Sequence, residues 1–149
     1  CEVLSIKLRE KLREEKSGVY FVSVNPSFQK LPEQQYSITV YFGCNPDRVE
    51  ELLEDVRTQI EAIQREPVDN TYITKVKEIQ TKEREVALKT NRFWLNTMRA
   101  VVRDGEPFSI VNRRPELIAA LTADQILASA KKFLSTKNVA TLVLKPESK

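Results

Sequence analysis

Histidine is absent from all 149 residues. That removes Ser-His and Cys-His pairs, an imidazole general base and the inverted zinc motif H-x-x-E-H. Cysteine is scarce: Cys1 and Cys44 alone cannot supply the four ligands of a structural zinc site. They are the one available disulfide pair, and nothing in the sequence fixes their separation, so cysteine usage assigns no redox compartment. Long apolar runs are missing too. VYFVSV and NVATLVL fall far short of the about 20 residues that span a bilayer, so no transmembrane segment is expected. The net charge is only +3, acids and bases alternate, and no Lys/Arg-lined face stands out, which leaves no reason to expect a nucleic-acid partner. Paired carboxylates remain as acid/base groups, but the 21 Asp and Glu are spread over charged helix faces, where solvation is their ordinary role. The chain is not expected to be a self-sufficient enzyme. No signal peptide is visible, and the start at Cys1 instead of Met points to upstream sequence having been removed.

What is present is an ordinary globular composition, 41% hydrophobic and 30% charged, in a length that suits one domain with a real core. Leu4, Leu8 and Leu12 recur among charges, predicting an amphipathic helix over 3–16 that Ser17-Gly18 stops. GVYFVSVN reads as a strand, PSFQKLPEQQ as a loop, and QYSITVYFGC as a second strand with Tyr36, Ile38, Val40 and Phe42 on one face. Asn45-Pro46-Asp47 is a helix start, and Val49, Leu52, Leu53, Val56, Ile60 and Ile63 follow helical spacing closely. A long charged helix begins near Asn70-Thr71, with a thin seam of Ile73, Val76, Ile79 and Val86 and i,i+4 pairs Glu78–Lys82 and Glu85–Lys89. A break is expected at Thr90-Asn91, with Asn91 capping a second, buried helix around Trp94. A short helix over 114–121 follows, then the capping box Thr122-Ala-Asp-Gln125 and a helix burying Ile126, Leu127, Ala130, Phe133 and Leu134. NVATLVLKP reads as a strand buried on both faces. The whole predicts an α+β layer: a mostly antiparallel sheet with helices packed on one side.

Several segments, taken in order, resemble the zinc-free C-terminal half of pitrilysin/insulinase-type zinc peptidases. LREEKSGVYFV is similar to that family's L-R-x(n)-G-x-Y segment, and YSITVYFGCNPDRVEELLEDV to its strand and acidic-capped helix. KTNRFWLNTM, LTADQILASAKKFL and NVATLVLKPE resemble its Trp segment, closing helix and final strand. The resemblance covers nearly the whole chain. It implies further strands before the helix that holds Arg13, and so a C-terminal fragment, with 1–149 as a single domain of a longer multi-domain peptidase chain. It also implies that this domain binds no cofactor. Zinc would sit in a partner domain or subunit, and the two halves would close a chamber around a peptide substrate, forming a metalloendopeptidase together. Many similar proteins work in the bacterial periplasm or cell envelope. In the family, the Arg and Tyr of this segment reach toward the substrate carbonyl, and Arg13 and Tyr20 are the matching positions. Read from the residues alone, Arg13 is one of several solvated charges in REKLREEK, and Tyr20, alternating with Val22 and Val24, packs in the sheet. Two other readings stand beside the peptidase one. The first is an inactive scaffold or interaction domain with the same fold; the second is an independent helical binding module.

Overall fold

The computed structural model describes residues 1–135 and 137–145. Helix α1 (Glu2–Leu8) runs directly into a π-helical segment (Arg9–Glu15). Strands β1 (Val19–Gln29) and β2 (Gln35–Cys44) follow, then a 3-10 turn (Pro46–Arg48). Five helices complete the order: α2 (Val49–Arg65), α3 (Asn70–Ala87), α4 (Asn91–Asp104), α5 (Ile110–Ala119) and α6 (Ala123–Phe133). β1 and β2 pair antiparallel, and one face of that sheet packs on the helices, as the α+β reading expects.

The leucine spacing explains the unusual first helix. Leu4, Leu8 and Leu12 are all buried. In a straight α-helix a four-residue spacing drifts by about 40° per step. The wider π turns of Arg9–Glu15 take up that drift and keep Leu12 on the buried stripe. These leucines meet Leu52, Val56 and Ile63 of α2 and Ile73 and Val76 of α3 in one core, to which α6 adds Ala130. From the sheet, Val19 joins this core, and Val22, Val24, Val40, Phe42 and Cys44 pack against it. Farther along the same face, Phe28 and Tyr36 meet the ring of Phe133 edge-on at 6.2 and 5.2 Å.

Several expectations need correction. β1 runs on through residues 26–29, which read as loop; Pro26 is tolerated because β1 is an edge strand with its other side unpaired among the described residues. The left-handed residue ending the first helix is Ser17 (φ 46°), not Gly18. Gly18 is required for closeness, since a Cβ there would lie 2.9 Å from Leu52 Cδ2. Neither Glu78–Lys82 nor Glu85–Lys89 forms an ion pair among the described residues; Lys75, Lys77 and Arg84 instead reach out of α3 to Glu10, the Ala119 carbonyl and the Val111 carbonyl. The break after α3 is present, but Thr90 is the cap, accepting from the Phe93 N–H, and α4 buries no residue fully. Its pattern has an apolar face, yet Leu95, Met98 and Val102 remain exposed because no described element covers them. Trp94 is half-buried, donating to the Leu88 carbonyl and stacked on Phe108. The helix read at 114–121 begins earlier, at Ile110, and contains Pro115. Finally, residues 137–145 form no strand among the described residues: Leu142 and Leu144 are 92% and 97% exposed, because a strand needs a paired neighbour and none lies beside them. Pro146, the end of that predicted strand, lies outside the described residues. Cys1 and Cys44 are free thiols.

Candidate functional site

Arg13 sits in the π-helical segment one residue past the buried Leu12, and its side chain is exposed. Glu10, Lys11 and Lys16 close to it are engaged elsewhere. Lys11 pairs with Glu15 at 2.6 Å. Glu10 accepts from the Tyr72 hydroxyl at 2.6 Å and from Lys75 at 3.1 Å. Lys16 Nζ lies 2.7 Å from Asp55 and 2.8 Å from Glu51. The Arg13 guanidinium makes no hydrogen bond or ion pair among the described residues, which leaves a permanently charged donor fork uncommitted.

The turn after it is held from three sides. Ser17 and Gly18 donate their N–H groups back to the Arg13 and Leu12 carbonyls at 3.1 and 2.8 Å, closing the helix end. Arg48 donates to the Lys16 carbonyl at 3.2 Å, while its Nε lies 3.2 Å from Glu51. With Arg48 first and Lys16 second, these cations hold the Glu51 carboxyl at about 2, well below the ordinary 4.5. The cluster ties the turn to the start of α2, and Gly18 lets the backbone close onto Leu52.

Tyr20 then lies at an irregularity in the sheet. Val19 pairs with Cys44 and Phe21 with Gly43, so Tyr20 is the extra residue of a β-bulge. Without the bulge Tyr20 would share the inward face of Val22 and Val24. With it, Val19 points inward and Tyr20 outward, because one inserted residue reverses the side-chain alternation. Tyr20 is 79% exposed, which corrects the expectation that it packs in the sheet. Its hydroxyl has no partner among the described residues, and no hydrogen bond joins it to Arg13. The two side chains therefore flank one braced turn, both exposed and both unengaged.

Sequence reasoning did not single out Phe21 and Tyr41. The Phe21 ring lies over Gly43, where a Cβ would meet it at 2.8 Å, and tilts against Tyr41 with centroids 5.2 Å apart. The available signal was negative: neither β1 nor β2 contains a charged residue.

This chain's own residues do not suit zinc. It has no histidine, and among the described residues no three Cys, Asp or Glu side chains converge on a possible metal position. No described helix is long and apolar enough to cross a membrane.

A family profile described as "Peptidase M16 inactive domain" matches residues 2–80, a stretch that includes both Arg13 and Tyr20. The chain belongs to the M16 peptidase family. The pitrilysin-type resemblance of the sequence agrees with this, and so does the fold. A periplasmic protease from Escherichia coli, PqqL, superposes with TM-score 0.69 at 18% identity over 88% of this chain. A protease from Helicobacter pylori superposes with TM-score 0.74 at 12% identity over 90% of this chain. The M16 domain described here spans 14% of the first protein and 34% of the second. No curated protein sequence matches it significantly.

Proposed function

We propose that this M16 domain is a zinc-free wall of a peptidase chamber, one part of a longer multi-domain peptidase. The zinc lies in another domain of the same chain or in a separate subunit. Arg13 and Tyr20 face the bound peptide. Hydrolysis of a peptide bond builds negative charge on the carbonyl oxygen, and a phenol O–H and a guanidinium are donors suited to that charge. One such preorganised donor is typically worth about 3 kcal/mol of transition-state stabilisation. The observation that carries this reading is the bulge: it turns Tyr20 outward with a free hydroxyl, seven residues from an unengaged arginine, across a turn braced by Gly18, Arg48 and Lys16. A bulge that re-aims a side chain is a feature common beside active sites. A bacterial periplasmic or envelope setting goes with the proposal, supported by the likeness to the periplasmic E. coli protease.

The test uses the zinc-bearing assembly that contains this chain. Arg13→Ala and Tyr20→Phe are each expected to lower turnover by about two orders of magnitude, the scale of one lost oxyanion donor. The zinc content stays unchanged. Unchanged turnover in both variants would remove the proposal.

A second reading, an inactive scaffold of the same fold, is favoured by α4. Its stripe of Leu95, Met98 and Val102 is uncovered, as a helix seated on another protein would require. In that case Arg13 and Tyr20 variants are silent, while Met98→Asp disrupts assembly.

A further inference from the structure

Lys16 is gripped at both of its ends by the start of α2 and the turn before it. Its carbonyl accepts from Arg48 Nη1 at 3.2 Å. Its ammonium lies 2.8 Å from Glu51 and 2.7 Å from Asp55. Arg48 closes the cluster, with Nε 3.2 Å from the same Glu51 carboxylate. Lys16 stands between Arg13 and Tyr20 in the chain, where the helix end gives way to the turn. Stability alone does not account for this arrangement. Glu51 and Asp55 are spaced i,i+4 on α2, and like charges so placed repel unless a cation is set between them. Asp55 Oδ2 is shut off from water, and the Lys16 ammonium is the one cation beside it among the described residues. Burying a carboxylate oxygen costs free energy, and ion pairs that stay partly in water contribute modestly. The core at this point is already held by Leu12 and Leu52, both fully buried.

What the grip does hold is a strained backbone. Ser17, next in sequence, has φ 46°, in the left-handed region that L side chains enter at a cost. Strain of this kind persists where its surroundings over-determine it, and such places cluster at functional sites. Arg13 lies on the helix side of Ser17 and Tyr20 on the strand side. A Ser17 relaxed to an ordinary φ would therefore change the direction of Tyr20 relative to Arg13.

We infer that Lys16 is a positioning residue: gripped by Arg48, Glu51 and Asp55, it fixes the direction of Tyr20 relative to Arg13 without touching substrate itself. This rests on the peptidase reading above and adds to it the part that holds the two donors. Donors aimed at a developing charge tolerate little displacement, and about 1 Å of misplacement can cost about 100-fold in rate.

The experiment measures kcat and KM in the zinc-bearing assembly. Lys16→Met keeps the side-chain stem and removes the ammonium. Its kcat is expected to fall by about tenfold or more while KM changes by less than about twofold, the pattern of an interaction made only in the transition state. Lys16→Arg, whose cation still reaches both carboxylates, keeps about half of the native kcat or more. The deciding readout is a cycle with the Arg13→Ala/Tyr20→Phe double variant. In that background Lys16→Met costs less than about twofold further, because the groups it positions are gone. A merely structural lysine lowers kcat by the same factor in both backgrounds. That result, or a native kcat in Lys16→Met, overturns the inference. Glu51→Gln is isosteric and partly exposed, gives a loss of about threefold with the same dependence on background, and stands in if Lys16→Met fails to fold. Silence of Arg13→Ala and Tyr20→Phe themselves removes the peptidase reading. Losses in those two beside a native kcat in Lys16→Met and Glu51→Gln remove the positioning role alone.

Discussion

The brace between Arg13 and Tyr20 is most sensitive at Gly18. A methyl group added there meets Leu52 Cδ2 at 2.9 Å and the Arg48 guanidinium at 3.1–3.2 Å. Leu52 is fully buried, so it cannot swing aside into solvent. Arg48 is held by the Lys16 carbonyl and by Glu51. Crowding a packed core by one methyl costs about 1–3 kcal/mol. Gly18 does not occupy the left-handed region, so alanine is compatible with its backbone and regains about 0.4–1 kcal/mol from a less flexible unfolded chain. The net expectation for Gly18→Ala is a loss of about 1–2 kcal/mol, read as a lower urea midpoint at unchanged slope. The cause is identified by a cycle with Leu52→Ala, which opens the space. The double variant must be more stable than the sum of the two losses predicts, by about 0.5 kcal/mol or more. Gly105→Ala is the contrast: nothing lies within 4 Å, but φ is +66°, so its loss comes from the backbone and no cavity rescues it. A neutral or stabilising Gly18→Ala, or strict additivity with Leu52→Ala, refutes the argument.

Three further expectations follow from the helix attachments. The Tyr72 hydroxyl donates to Glu10, so its ionisation is pushed up to about 12, chiefly because that hydrogen bond is lost, and then because burial and the nearby Glu10 charge disfavour the phenolate. This contact stabilises the fold below the ordinary value of 10.0 and is lost as pH rises through about 12; ultraviolet titration of Glu10→Gln should show Tyr72 ionising nearer 10.0. Glu51, held at about 2, adds stability above its ordinary 4.5 that is lost as pH falls toward about 2. Urea midpoints of the native chain should fall over that window, with a weaker fall in Glu51→Gln. Thr122→Ala removes the side-chain half of the capping box on α6, the 3.2 Å bond that the Thr122 hydroxyl accepts from the Gln125 N–H, and should cost about 1 kcal/mol by thermal unfolding.

Local chemistry was the legible part of the fold. Asn45 caps as its sequence context implies, accepting from the Asp47 N–H, and the α2 apolar spacing buries Leu52, Val56 and Ile63. Thr122 and Gln125 form both halves of their box because the residues that make it are adjacent in sequence. What was not legible depends on partners. Alternation along VYFVSV puts Tyr20 inside only if each residue faces one partner, and the bulge against Gly43 breaks that count. A glycine at position 18 marks a special backbone site, but only the fold shows that the need is room for Leu52 and not a left-handed turn. The α4 stripe and the NVATLVL leucines carry the marks of burial without naming what would bury them. Of the site itself, Arg13 and Tyr20 were reachable only through the family resemblance; their local patterns describe a surface charge and a core ring. Phe21 and Tyr41 give no positive signal, since an aromatic in a strand is ordinarily core.

The most direct test of the account is the native mass and metal content of the protein that carries this chain, captured from its source with an antibody to the domain. The account predicts a species or stable complex much larger than 149 residues, with bound zinc. A free, zinc-less species of this size would contradict it.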